Sequence, residues 1–107
     1  MGIVEYDDEL DLLEIRRENE KVSKSMEVGE NLIIHVNSAF KVVSLEIVGA
    51  SKFLNVTKNQ LKEIKSASIG TIMHNDNYGV AYSIFLPKEK IESSVYMHPT
   101  PVQVATR

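Results

Sequence analysis

Apolar residues recur at every second position over most of this chain, which is the spacing of half-buried β-strands rather than of helices. In the stretch Lys21–Val28, Val22, Lys24, Met26 and Val28 alternate with Lys21, Ser23, Ser25 and Glu27, leaving one apolar face. Gly29-Glu30-Asn31 then forms a turn, Leu32 to Val36 is a β-branched run, and Asn37-Ser38 turns the chain again. From Phe40 to Val48 a further strand is predicted, with Val43, Leu45 and Ile47 facing one way and Val42, Ser44, Glu46 and Val48 the other. Val80, Tyr82, Ile84 and Leu86 alternate with Ala81, Ser83 and Phe85 in the same manner. That strand, Tyr78 to Leu86, follows a strand Ile69–His74 across the turn Asn75-Asp76-Asn77, and Pro87 ends it. Lys90 to Met97 reads as one more strand. At the N-terminus Ile3, Val4 and Tyr6 make a short strand and Asp7-Asp8-Glu9 a turn. Leu10 to Ile15 alternates less cleanly, so a helix from Asp8 competes locally with a second strand; the strand is preferred.

One helix is signalled. Gly49 breaks the preceding strand, and Thr57-Lys58-Asn59-Gln60 has the spacing of a capping box, with Thr57 as N-cap and Gln60 reaching back. The helix is expected to run over about 57–66, carrying Leu61, Ile64 and Ala67 as a narrow apolar stripe suited to lie on a sheet. The expected fold is therefore α+β, a mostly antiparallel β-sheet or half-open barrel of six to eight strands with one main helix. It forms a single domain, 1–107, whose segment 98–107, opened by His98-Pro99-Thr100-Pro101, reads as a flexible tail.

Composition narrows the chemistry. A chain of 107 residues can bury one core without staples, and it contains no Cys, which excludes disulfides, thiolate metal sites and thiol nucleophiles. No apolar run approaches the roughly 18 residues of a membrane-spanning helix, and the acidic start lacks the features of a signal peptide, so the expected location is the cytoplasm. Residues 1–30 hold ten acids and four bases, a net −6, while residues 31–107 hold five acids and eight bases, a net +3. Lys58, Lys62 and Lys65 would share one helix face, but three lysines on an amphipathic helix are ordinary solvated surface, and nucleic acid is not an expected partner.

The acidic turn is the candidate site. Asp7, Glu9 and Asp11 offer the carboxylate oxygens that a hard divalent cation takes, although the Gly and distal Glu of a calcium loop are missing. The competing reading is a solvated turn in which Asp7 bonds its own backbone. His35, His74 and His98 lie in no ligand motif, there is no nucleophile elbow and no Gly-rich phosphate loop, so neither a catalytic residue nor a cofactor is expected. An enzyme would be signalled by a concave pocket that brings His35 or His74 against a carboxylate. The runs Leu32–Val36 and Val80–Leu86 are either sheet edges open to strand addition or covered central strands. Many strands with one thin helix leave a sheet face to cover, so a homodimeric, non-enzymatic interaction module is the expected function, with a divalent-metal or small-ligand binding protein as the alternative.

Tyr6-Asp7-x-Glu9-x-Asp11-x-Leu13-x-Ile15, set beside Phe40-Lys41-Val42-Val43-Ser44-Leu45-Glu46-Ile47 and Ala50-Ser51-Lys52, resembles the small prokaryotic domain of unknown function 2283 over residues 3–54. This sequence departs from that pattern at Asn37-Ser38-Ala39-Phe40, where relatives carry an Asp-rich turn with Gly, and at Ser44, where Gly is common. The resemblance implies a compact β-rich domain without established catalysis. It further implies an antitoxin-like role as the partner of a small basic protein, since relatives are encoded beside small toxin-like proteins.

Overall fold

The computed structural model describes residues 2–75 and 77–97 and arranges them as eight strands and two short helices. Strands β1 (Gly2–Asp7), β2 (Leu12–Arg17), β3 (Lys24–Val28), β4 (Leu32–Val36) and β5 (Val42–Val48) form one antiparallel sheet in the order β1-β2-β5-β4-β3. Helices α1 (Ala50–Leu54) and α2 (Lys58–Lys62) lead into a second antiparallel sheet of β6 (Ser66–His74), β7 (Asn77–Phe85) and β8 (Lys90–Met97), in the order β6-β7-β8. The antiparallel α+β character agrees with the hydrophobic pattern. The chain divides its strands between two sheets rather than curling them into a half-open barrel.

One hydrophobic cluster joins the sheets. Leu13 and Ile15 of β2, Ile34 and Val36 of β4, and Leu45 and Ile47 of β5 are fully buried, and they meet Val80 and Ile84 of β7. β6 lies across β1, β2 and β5, and two hydrogen bonds tie the layers. The amide of Val42 donates to Thr71 Oγ1 at 2.8 Å, and the Tyr78 hydroxyl donates to the carbonyl of Phe40. Burial pushes the Tyr78 phenol up to about 12, which keeps it a neutral donor there.

The expected single helix over 57–66 is corrected to two short ones. Thr57 and Gln60 do form both halves of the capping box, at 3.0 and 2.8 Å. The helix nevertheless ends at Lys62, because the amide of Lys65 donates to the carbonyl of Phe85 at 2.7 Å and draws the chain into the second sheet. Ser66 and Ala67, expected at the helix end, are the first residues of β6. Of the three lysines, Lys58 and Lys62 lie on α2 and Lys65 lies beyond it; Lys62 pairs with Asp8 at 3.0 Å, which holds that carboxyl below its ordinary range.

A second correction concerns β5. His35 stands opposite Ser44 but Val36 opposite Val42, so Val43 is the extra residue of a β-bulge. Val42 therefore joins Leu45 and Ile47 in the core, whereas Val43 lines the outer face beside Ser44. Strand β2 starts later than expected, at Leu12, and leaves Leu10 in the turn, 66% exposed. Finally, β4 lies between β3 and β5, and β7 between β6 and β8, so neither of the runs weighed as open edges is one.

Candidate functional site

Three places gather polar or unpaired groups: the acidic turn, the outer face of the five-stranded sheet, and the free edge of β8.

In the acidic turn, Asp7 Oδ1 accepts from the amides of Glu9 and Leu10 at 3.0 and 3.1 Å, the turn expected from an Asx residue. Asp11 sits at φ 52, in the left-handed region that Asp tolerates better than most residues. That conformation aims its carboxylate at α1. Asp11 Oδ1 accepts from the Tyr6 hydroxyl at 2.6 Å and from the Ser51 amide at 3.1 Å, and Oδ2 accepts from the Ser51 hydroxyl at 2.7 Å. Its main-chain carbonyl takes the amide of Ala50 at 2.9 Å. Gly49, the residue before α1, offers no side chain to cap it, so Asp11 supplies the cap from the turn before β2, the strand beside β5. Burial opposes the Asp11 charge, and the bonds from Tyr6 and Ser51 outweigh it, holding the carboxyl below the usual carboxylate range. Burial, followed by the bond to Asp11 and its charge, raises the Tyr6 phenol. Asp7 Oδ1 and both carboxylate oxygens of Asp11 accept from donors within the protein. Among the described residues no group of three or more His, Asp or Glu side chains is placed to hold a metal ion.

The outer face of the first sheet carries two adjacent rows. Glu5, Glu14 and Glu46 stand directly opposite one another across β1, β2 and β5; Arg16, Ser44 and His35 form the next row, across β2, β5 and β4. Three carboxylates in register repel, and each is matched by a neighbour in the second row. Arg16 donates to Glu5 at 2.5 Å and to Glu14 at 3.2 Å, Ser44 Oγ donates to Glu14 at 3.1 Å, and His35 Nε2 bonds Glu46. The Glu5 bond and charge, with Glu14 added, raise the Arg16 pKa. Ser25 Oγ lies 2.6 Å from His35 Nδ1 and completes the row.

His35 is thus brought against a carboxylate, at the rim of an open hollow of about 240 Å³ that Arg16, Val22 and Glu46 also line. This is the juxtaposition that would signal an enzyme. The order Ser25–His35–Glu46 resembles a nucleophile relay, but acyl transfer also needs N–H donors aimed at a developing oxyanion. Strand amides lie in the plane of the sheet, not along its face, so the ladder around His35 presents none. The arrangement gives each carboxylate of the first row a hydrogen-bond partner from the second. Replacing His35 with alanine is expected to cost about 1–3 kcal/mol, since Glu46 then faces Glu14 without a donor, and adding Glu46→Gln restores most of it; urea denaturation of the single and double variants checks this. His74 lies on the outer face of the second sheet, at the end of β6, and His98 lies outside the described residues.

Edges are the third feature. β3 is five residues long and carries Lys24 and Glu27, the charges that blunt an edge. β1 is packed against β6, and the hollow beside it is lined by Leu61, Lys62 and Ile64 from α2 and its exit. In the second sheet the edge strand β6 lies across β1, β2 and β5, whereas the eight residues of β8 pair, among the described residues, with β7 alone; β8 carries Lys90 and Glu92 at its start and no charge or proline from Ser93 to Met97. Of its inward residues, Ile91 and Val95 are half-buried, Ser93 between them is exposed and Met97 is buried, while Tyr96 on the outer side is 43% exposed.

The family described as "Protein of unknown function (DUF2283)" matches the chain over residues 3–51. No curated protein and no solved structure matches it. The matched segment spans β1 to β5 and ends at Ser51, so it corresponds to the five-stranded sheet together with both halves of the Asp11–Ser51 clasp. The residues that carry the resemblance, forty positions apart in sequence, meet in this clasp. The three-stranded sheet lies outside the match.

Proposed function

We propose that this chain is a non-enzymatic interaction module that works by accepting an extended strand on the free edge of β8. The observation that carries this reading is that among the described residues β8, an eight-residue strand, is hydrogen-bonded on one side only, while its inward residues Ile91 and Val95 stay half-covered. An added strand satisfies the outward amides and carbonyls and extends apolar cover over Ile91 and Val95, which is how strand addition gains both affinity and selectivity. The other polar features support the same reading from the opposite side. The carboxylates of Asp7 and Asp11, the His35–Glu46 pair and the Arg16 network are engaged within the fold, which suits a framework role.

Val95→Lys tests the proposal. An inward-pointing lysine on an edge strand is a recognised obstacle to pairing, and β8 lies at the margin of the core, so the fold is expected to persist. Light scattering is expected to show association by the native chain and its loss in the variant, with unchanged circular dichroism. Equal association by both proteins would remove β8 as the docking edge.

A further inference from the structure

Resting on that reading, we infer that the strand accepted by β8 is the β8 of a second copy of this chain, paired antiparallel about Ser93. The inference comes from the sequence of the edge itself. Residues facing the core along β8 are Ile91, Ser93, Val95 and Met97, as their partners Ile84, Tyr82, Val80 and Tyr78 on β7 require; Met97 is already buried, and the three less covered positions before it, apolar–Ser–apolar, read the same in both directions about Ser93. The outer row is Lys90, Glu92, Ser94 and Tyr96.

Antiparallel pairing requires opposed residues to face the same side of the sheet, so a two-fold axis must pass through a residue and not between two residues. With the axis at Ser93, Ile91 meets the partner's Val95 on the inner side, and Ser93 meets the partner's Ser93. On the outer side Glu92 meets the partner's Ser94, and Lys90 meets the partner's Tyr96, a cation against an aromatic face. No like charges oppose one another. An axis at Glu92 sets two carboxylates face to face, which is unfavourable. An axis at Ser94 sets Glu92 against the partner's Tyr96 and the polar Ser93 against the partner's Val95, matching neither row as well. Pairing about Ser93 also engages nearly the whole length of β8. It joins the two three-stranded sheets into one of six, closed by symmetry, so that both free β8 edges are consumed.

The absence of cysteine makes the register directly readable. Three single variants are compared in the full chain under mild oxidation: Ser93→Cys, Glu92→Cys and Ser94→Cys. Opposed Cα atoms in antiparallel strands lie about 4.5–5.5 Å apart, within disulfide range, whereas residues one step off the axis lie roughly 8 Å from their copies and outside it. Ser93→Cys is expected to form the cross-linked dimer about tenfold faster than either neighbour. Faster cross-linking at 92 or 94, or no cross-linked dimer from any of the three, overturns the inference. A labelled peptide of sequence Lys90–Met97 separates this failure from failure of the strand-acceptor reading. If the chain stays monomeric yet binds the peptide, with protection of β8 amides, the edge accepts strands and the second copy is the wrong occupant. If neither pairs, both readings fall.

Discussion

Gly79→Ala is expected to lower stability by about 3 kcal/mol, more than any other single methyl addition in this fold. A β-carbon at Gly79 would overlap the carbonyl oxygen of Val95 and stand 3.0 Å from Tyr96 Cα and 3.1 Å from the Tyr96 ring. The first two obstacles are backbone atoms of β8, which sits directly opposite in the ladder, with Gly79 paired to Tyr96. Relief therefore requires the strand to move and its hydrogen bonds to β7 to stretch. The Tyr96 ring covers the bare backbone of Gly79, the device by which an aromatic neighbour compensates a glycine in a sheet. Gly70→Ala is the control. Gly70 occupies the same face, opposite Ala81, with nothing within 4 Å of an added β-carbon and no left-handed φ, so that substitution is expected to be neutral or stabilising by a few tenths of a kcal/mol. Thermal unfolding of the two variants checks both statements: a drop of roughly 10 °C for Gly79→Ala and little change for Gly70→Ala.

The second large effect lies at the Asp11 clasp. Asp11→Ala is expected to cost about 2–3 kcal/mol, because it removes the bond to Tyr6 and the cap of α1, and leaves alanine at φ 52. Tyr6→Phe and Ser51→Ala each remove part of the clasp and should cost about 1 kcal/mol. The cap also gives the protein an acid response. The carboxyl of Asp11 is held below its ordinary value in the folded state, so its contribution is fully present above the unfolded value of about 3.9 and is lost as the pH falls through the folded value. Asp11→Asn, which keeps a side chain tolerant of the left-handed region, should lose stability at pH 7 and lose less than the native chain on acidification from pH 5 to pH 3. Denaturant titrations at several pH values measure the difference. Parallel curves for the two proteins would remove the charge of Asp11 from the account.

The strands were largely legible because each has one buried face, which prints a period of two on the sequence: Tyr82 and Ile84 against Ser83 and Phe85 is the plainest case. Thr57 and Gln60 were legible for a different reason, since a capping box is complete within four residues. What escaped depends on partners distant in the chain. α1 lacks a local cap because Asp11, forty residues earlier, provides it, and nothing around Gly49 to Asn55 announces that. The bulge at Val43 displaces a pattern that would otherwise assign Val42 to the surface. Division into two sheets follows from Lys65 bonding Phe85, a contact between segments whose local patterns are complete without it. The two rows of the outer face left a faint trace: Glu14 and Glu46 occupy outward positions on strands whose neighbouring outward positions hold Arg16 and Ser44. An acid with a donor two residues away on each of two strands is a signal of adjacent rows on one sheet face, but strand order is needed to align them with Glu5 and His35.

For the site, the acidic turn was conspicuous in sequence because charge density is visible without structure. The fold instead directs Asp7 and Asp11 at backbone and side-chain donors. The edge of β8 was not conspicuous, because its distinguishing property is that among the described residues it has a neighbour on one side only. Such a property belongs to the strand order and not to the residues, although the two-way symmetry of Ile91, Ser93 and Val95 was present in the sequence throughout.

Hydrogen exchange of the full chain across a wide range of protein concentration tests the central claim most directly, since it reads each edge separately. The expected result is that outward amides of β8, between Ile91 and Met97, exchange more slowly as concentration rises, while those of the free edge of β3 do not change. Exchange along β8 that is independent of concentration, in a protein whose core amides remain protected, would contradict it.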